Sequence, residues 1–86
     1  MEKIIEFDNI DKIISVFGEY DKNINLIAKE LGVSIISRGE TVKISGDEAK
    51  VTMAVQVVAN LMRLLDSGDS LNDQNVAYAI ESVRDG

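Results

Sequence analysis

The chain has 86 residues, 15 of them acidic and 9 basic, for a formal net charge of −6, and it contains no Cys, His, Pro or Trp. That length holds one small domain. The missing Cys and His remove disulfide frameworks, thiol nucleophiles, zinc-thiolate sites and the commonest general base, while the acidic balance opposes a phosphate backbone or an anionic membrane surface.

Glu2-Lys3-Ile4-Ile5-Glu6-Phe7 is a short β-type run, and Asp8 follows as a helix N-cap with Asp11 in the first turn. The helix that starts near Asn9 carries the apolar stripe Ile10, Ile13, Ile14 and Phe17, and Gly18 ends it. Asp21 caps a second helix with the stripe Ile24, Ile27, Ala28 and Leu31, stopped by Gly32. From Val33 the residues become β-branched: Val33-Ser34-Ile35-Ile36-Ser37 and Thr41-Val42-Lys43-Ile44-Ser45 form a hairpin, with Arg38, Gly39 and Glu40 at its turn. Val42 and Ile44 share one face, and Lys43 lies on the solvated one.

Gly46-Asp47 opens a long helix from about Glu48 to Ser67, with Val51, Ala54, Val55, Val58, Leu61, Met62 and Leu65 as its core stripe. A second apolar line, Met53, Val57 and Leu64, requires another partner: either the last helix or a surface that pairs with a second molecule. Ser67-Gly68-Asp69 connects to that last helix, where Ser70-Leu71-Asn72-Asp73 supplies capping chemistry and Val76, Ala77, Ile80 and Val83 form the stripe. The order is β-α-α-β-β-α-α, an α+β domain with a three-stranded antiparallel sheet covered by helices on one face. Residues 2–67 form the core and residues 70–84 an additional helix.

No apolar run reaches the length of a membrane span, and Met1–Phe7 lacks the layout of a signal peptide, so the expected compartment is the cytoplasm without membrane contact. The oxygen-rich run Asp66 to Asp73 does not have EF-hand spacing, because its Gly68 stands third and not sixth; solvation and capping account for it. Asp8/Asp11 and Asp47/Glu48 sit where helix N-termini favour carboxylates, so they are read as capping pairs and no catalytic residue is assigned.

A tight Gly-containing loop between the first two helices of a β-α-α-β-β-α array resembles a KH domain, in which a GxxG loop brings backbone amides to phosphates beside an apolar groove. Here Gly18-Glu19-Tyr20-Asp21 keeps only the first Gly. Two like charges about 4 Å apart repel by about 1 kcal/mol even in water, so Glu19 and Asp21 should repel a phosphate. As backbone punctuation, Gly18 and Asp21 are equally explained as a C-cap and an N-cap without any ligand. Tyr20 is either a packing staple or an exposed stacking platform; with 2 Tyr and 2 Phe in the chain, packing is the favoured use.

Gly18 with Asp21-Lys22-Asn23, Leu31-Gly32-Val33, Ile36-Ser37-Arg38-Gly39 and Ile44-Ser45-Gly46-Asp47, in that order and spacing, resembles the N-terminal KH-like domain of PhoH-like proteins. The resemblance implies a phosphate-starvation-inducible type of bacterial protein in which a P-loop ATPase core follows this domain, with a role in RNA metabolism. Nothing in the chain matches GxxxxGK[ST]. ATP and Mg are therefore expected in the full-length protein and no cofactor or metal in this chain, which reads as a non-catalytic fragment upstream of the ATPase. The expected partners are that ATPase domain, RNA, or a second copy; a stand-alone interaction module without nucleic-acid binding is the alternative. The candidate nucleic-acid or partner contacts are Gly18, Glu19, Tyr20, Asp21, Asn23, Ile36 and Arg38, beside a groove between Ile24 and Ile36, and the candidate interaction patch is Met53, Val57 and Leu64.

Overall fold

A computed structural model describes residues 1–85. The elements follow as β1 (Glu2–Glu6), α1 (Ile10–Phe17), a single 3-10 turn (Glu19–Asp21), α2 (Lys22–Leu31), β2 (Ser34–Arg38), β3 (Thr41–Ser45), α3 (Glu48–Asp66) and α4 (Asp73–Arg84). This is the predicted β-α-α-β-β-α-α order, built on one antiparallel sheet with strand order β1-β3-β2.

Pairing is in register across all three strands. Glu2, Ser45 and Ser34 form one row; Ile4, Lys43 and Ile36 a second; Glu6, Thr41 and Arg38 a third. Because side chains alternate along a strand, these three rows share the outer face. The intervening residues Val42 and Ile44 of the central strand are completely buried on the inner face, where α2 and α3 lie. β2 and β3 join through a two-residue turn in which Gly39 takes φ +60, the conformation that keeps the strands twisted together.

α3 is the central helix: it touches α1, α2, α4, β1 and β3. Its Val51, Ala54, Val57, Val58 and Leu61 have no exposed surface, and Val16, Ile27 and Val76 join them from the surrounding helices. Each such large aliphatic side chain contributes on the order of 1.5–3 kcal/mol by leaving water. Asp47 caps α3 by accepting from the Ala49 N–H at 3.2 Å, and Asn72 caps α4 by accepting from the Asn75 N–H at 2.8 Å.

Three expectations need correction. Asn9, not Asp8, caps α1: its side-chain oxygen accepts from the Lys12 N–H at 3.0 Å, while Asp8 pairs with the Lys12 ammonium at 2.9 Å. The buried face of α1 is Ile13, Val16 and Phe17, leaving Ile10 and Ile14 exposed. In α4 the buried alanine is Ala79, not Ala77.

Ion pairs fasten the helices at their ends. Lys22 meets Asp73 at 3.1 Å and Arg84 meets Glu30 at 3.2 Å, so α4 lies alongside α2 with both helices running in the same direction. Lys12 joins α1 to the end of α3 through Asp66 at 2.9 Å. The Asp66 carboxylate first, and Asp8 second, hold the Lys12 ammonium above its ordinary 10.5. The folded chain thus binds this proton more tightly than the unfolded one, so the contribution is complete below pH 10.5 and is lost as pH rises through the higher folded value. Lys12→Met is expected to give a shallower alkaline decline of melting temperature; an unchanged slope would mean that the pairs do not form in solution.

Candidate functional site

Gly18 closes α1 by donating its N–H to the Ile14 carbonyl at 3.0 Å, and its own carbonyl accepts from the Asp21 N–H at 3.0 Å. Its backbone lies at φ 82, ψ 171, a region that is essentially glycine-only. A Cβ there would stand 2.6 Å from Nδ2 and 2.7 Å from Cγ of Asn23. Asn23 is 3% exposed and packs directly against the loop. The spacing of Gly18 and Asn23 is therefore a packing requirement, and Asn23 is withdrawn from the surface contacts.

The next residues extend the unusual backbone. Tyr20 and Asp21 both have positive φ, at 54 and 58, where a Cβ crowds the following carbonyl. Asp21 starts α2, yet its side chain makes no capping hydrogen bond; the expectation that it caps by its carboxylate is corrected. Tyr20 is 91% exposed, so it is not a packing staple. Glu19 and Asp21 are also exposed, and together the three present an aromatic ring between two carboxylates.

Since Asp21 occupies a left-handed conformation without a compensating side-chain bond, Asp21→Gly is expected to be neutral or stabilising, by up to about 1 kcal/mol. A urea midpoint measures this, and a clear fall would assign the carboxylate a structural role.

A groove of about 280 Å³ lies beside the loop, lined chiefly by Ile10, Ile14, Phe17, Gly18, Asp21 and Ser37. It joins the exposed aliphatic side of α1 to β2. The groove predicted between Ile24 and Ile36 is not formed, because Ile24 is buried in the core on the inner side of α2 whereas Ile36 is on the outer face of the sheet. Ser37 is the β2 residue that reaches the loop groove. Arg38 ends β2 on the outer face, and its carbonyl accepts from the Thr41 hydroxyl at 2.8 Å. Ile10 and Ile14 are thus the groove residues that sequence periodicity missed, having assigned them to the core.

The line Met53, Val57 and Leu64 is not an open patch. Val57 is completely buried, and Met53 and Leu64 are half-buried against the core. Helix α4 packs on α3 and supplies the partner that this second line required. In the acidic run, Asp66 and Asp73 are occupied by Lys12 and Lys22, and among the described residues no three carboxylates are grouped to hold a metal ion.

No protein-family model matches the chain. A PhoH-like protein of Bacillus subtilis (strain 168) is 34% identical over 76 residues, which is 88% of this chain and 24% of that protein. The chain is homologous to PhoH-like proteins. A PhoH-like protein of Mycobacterium bovis is 27% identical over 70 residues, covering 81% of this chain and 20% of its own length, and one of Mycobacterium leprae has the same identity and coverage. The chain spans a quarter or less of the length of these PhoH-like relatives. The motif residues that carry the resemblance to that family lie in the α1–α2 loop and the start of α2, at the α2–β2 junction, in the hairpin and at the entry to α3.

Proposed function

We propose that this domain is a non-catalytic, KH-like accessory module of a PhoH-like ATPase, positioning RNA for a catalytic core that binds ATP and Mg. The observation that carries the proposal is the coverage: nearly the whole chain aligns with PhoH-like proteins, yet accounts for 24% of the first of them. The β-α-α-β-β-α core and the apolar groove beside the Gly18–Asp21 loop support the KH-like part of the reading. A Walker A motif downstream of residue 86 in the encoding reading frame is the expected accompaniment; its absence would remove the assignment.

Single-stranded RNA would lie along Ile10, Ile14 and Phe17, with the exposed Tyr20 ring available for base stacking. Glu19 and Asp21 oppose the phosphates at the loop, so the native domain binds weakly. In Glu19→Lys/Asp21→Gly the two repulsions, about 1 kcal/mol each, are replaced by one attraction. Fluorescence anisotropy at low salt should show binding roughly tenfold tighter or better, with a steeper salt dependence. If neither folded form binds, RNA positioning is excluded, and the acidic loop then favours the second reading, a protein-interaction module.

A further inference from the structure

Among the described residues no helix covers the outer face of the sheet, and two of its three central-row positions are aliphatic: Ile4 is 65% exposed and Ile36 45%. Lys43 stands between them, within 3.8 Å of the Glu2 carboxylate. The charges are sorted by strand: β1 contributes Glu2 and Glu6, β2 contributes Arg38, and β3 contributes Lys43. Acid lies along one edge and base lies in the centre and along the other edge, on a face whose formal charges cancel.

We propose that this face pairs with the same face of a second copy of the chain. Two sheets stacked face to face keep their strands nearly aligned, and two-fold symmetry then allows two simple arrangements. An axis across the strands would set β1 over β1 and place Glu2 and Glu6 of one copy on Glu6 and Glu2 of the other, which stacks four carboxylates. An axis along β3 sets β1 of each copy over β2 of the other. In that arrangement Ile4 meets Ile36 twice and Glu6 meets Arg38 twice, because each pair already shares a row of the register. Lys43 meets its own copy on the axis, with Glu2 beside each ammonium. Charge complementarity therefore selects the second arrangement. Five-residue strands and three-strand width give a footprint of about 15 Å by about 15 Å, smaller than the roughly 800 Å² per partner of a standard stable complex. The pairing is accordingly weak and concentration-dependent.

Sedimentation equilibrium of the 86-residue chain, from roughly 10 μM to roughly 1 mM so as to cover weak affinities, tests the proposal, with circular dichroism confirming that each variant is folded. The native chain should dimerise reversibly. Ile4→Lys should weaken the dimer by tenfold or more, and Glu6→Arg or Arg38→Glu alone should do the same by setting like charges together. An equimolar mixture of the Glu6→Arg and Arg38→Glu chains should restore dimerisation as a heterodimer, because each chain then offers the other two opposite-charge contacts. The double reversal in one chain should restore the homodimer. A native chain that remains monomeric throughout overturns the proposal. So does a dimer that survives the single reversals unchanged, which would place contact at a strand edge or on the helices.

Discussion

Gly18→Ala is expected to destabilise the domain by about 2–6 kcal/mol, combining backbone strain of about 1–3 kcal/mol with a similar cost of overpacking. Both contributions are local and separable. The strain arises at φ 82, ψ 171, and the overpacking arises because the new methyl would stand 2.6 Å from the Asn23 amide. For a domain of this size the melting temperature should fall by roughly 10 °C or more. Gly18→Ala in an Asn23→Gly background keeps the strain and removes the overlap, so a double-mutant cycle should return a coupling of about 1–3 kcal/mol. A Gly18→Ala chain that melts like the native one would mean that the loop does not hold this conformation in solution.

Val57→Asp is expected to prevent folding. Val57 is wholly buried near the middle of α3, and an unpaired carboxylate at such a position belongs to the small class of substitutions costing more than about 4 kcal/mol. Small domains have on the order of 5–15 kcal/mol in total. The control is Gln56→Glu, which adds the same charge one residue earlier at an exposed position and should change stability by no more than about 0.5 kcal/mol. Were Val57 part of an open interaction patch, both variants would fold and only association would respond. A cooperative melt of Val57→Asp close to that of the control would contradict the burial described above.

These two positions show what could be read from the chain and what could not. Element order was legible because the punctuation is strong: Gly18, Gly32 and Gly39 end elements, and the change from helical spacing to β-branched residues at Val33 marks the hairpin. That α3 has more than one apolar side to cover was legible too, since Met53, Val57 and Leu64 fall outside its main stripe, but the spacing did not say whether the last helix or a second molecule covers it. Which side of α1 faces inward was not. Ile10-Ile13-Ile14-Phe17 and Ile13-Val16-Phe17 are both acceptable helical stripes, and the choice between them depends on how the chain enters from β1 and how α1 meets α3. The groove depended on the same choice, because leaving Ile10 and Ile14 outside is what makes its wall apolar. Ile36 was misplaced for a related reason: in a run of adjacent isoleucines, Ile35 and Ile36, alternation says that they face opposite ways but not which one faces the helices. Asp21 looked like an ordinary cap in sequence, and its left-handed backbone is set by the tight turn after Gly18.

The strand order carries a consequence for the time course of folding. β2 and β3 are joined by two residues and can pair as soon as they meet, whereas β1 is separated from β3 along the chain by α1, α2 and β2 and must close that longer segment to pair with it. Closing that longer segment costs more chain entropy before any pairing is gained. The hairpin is therefore expected to pair early and β1 to dock late, on the other edge of β3. In pulse-labelling hydrogen exchange during refolding, amides linking β2 and β3 should gain protection before those linking β1 and β3, and simultaneous protection would contradict this order. Until the first strand arrives, one edge of β3 stays open to any extended segment nearby, so refolding yield should decrease with protein concentration more steeply than native stability alone would dictate.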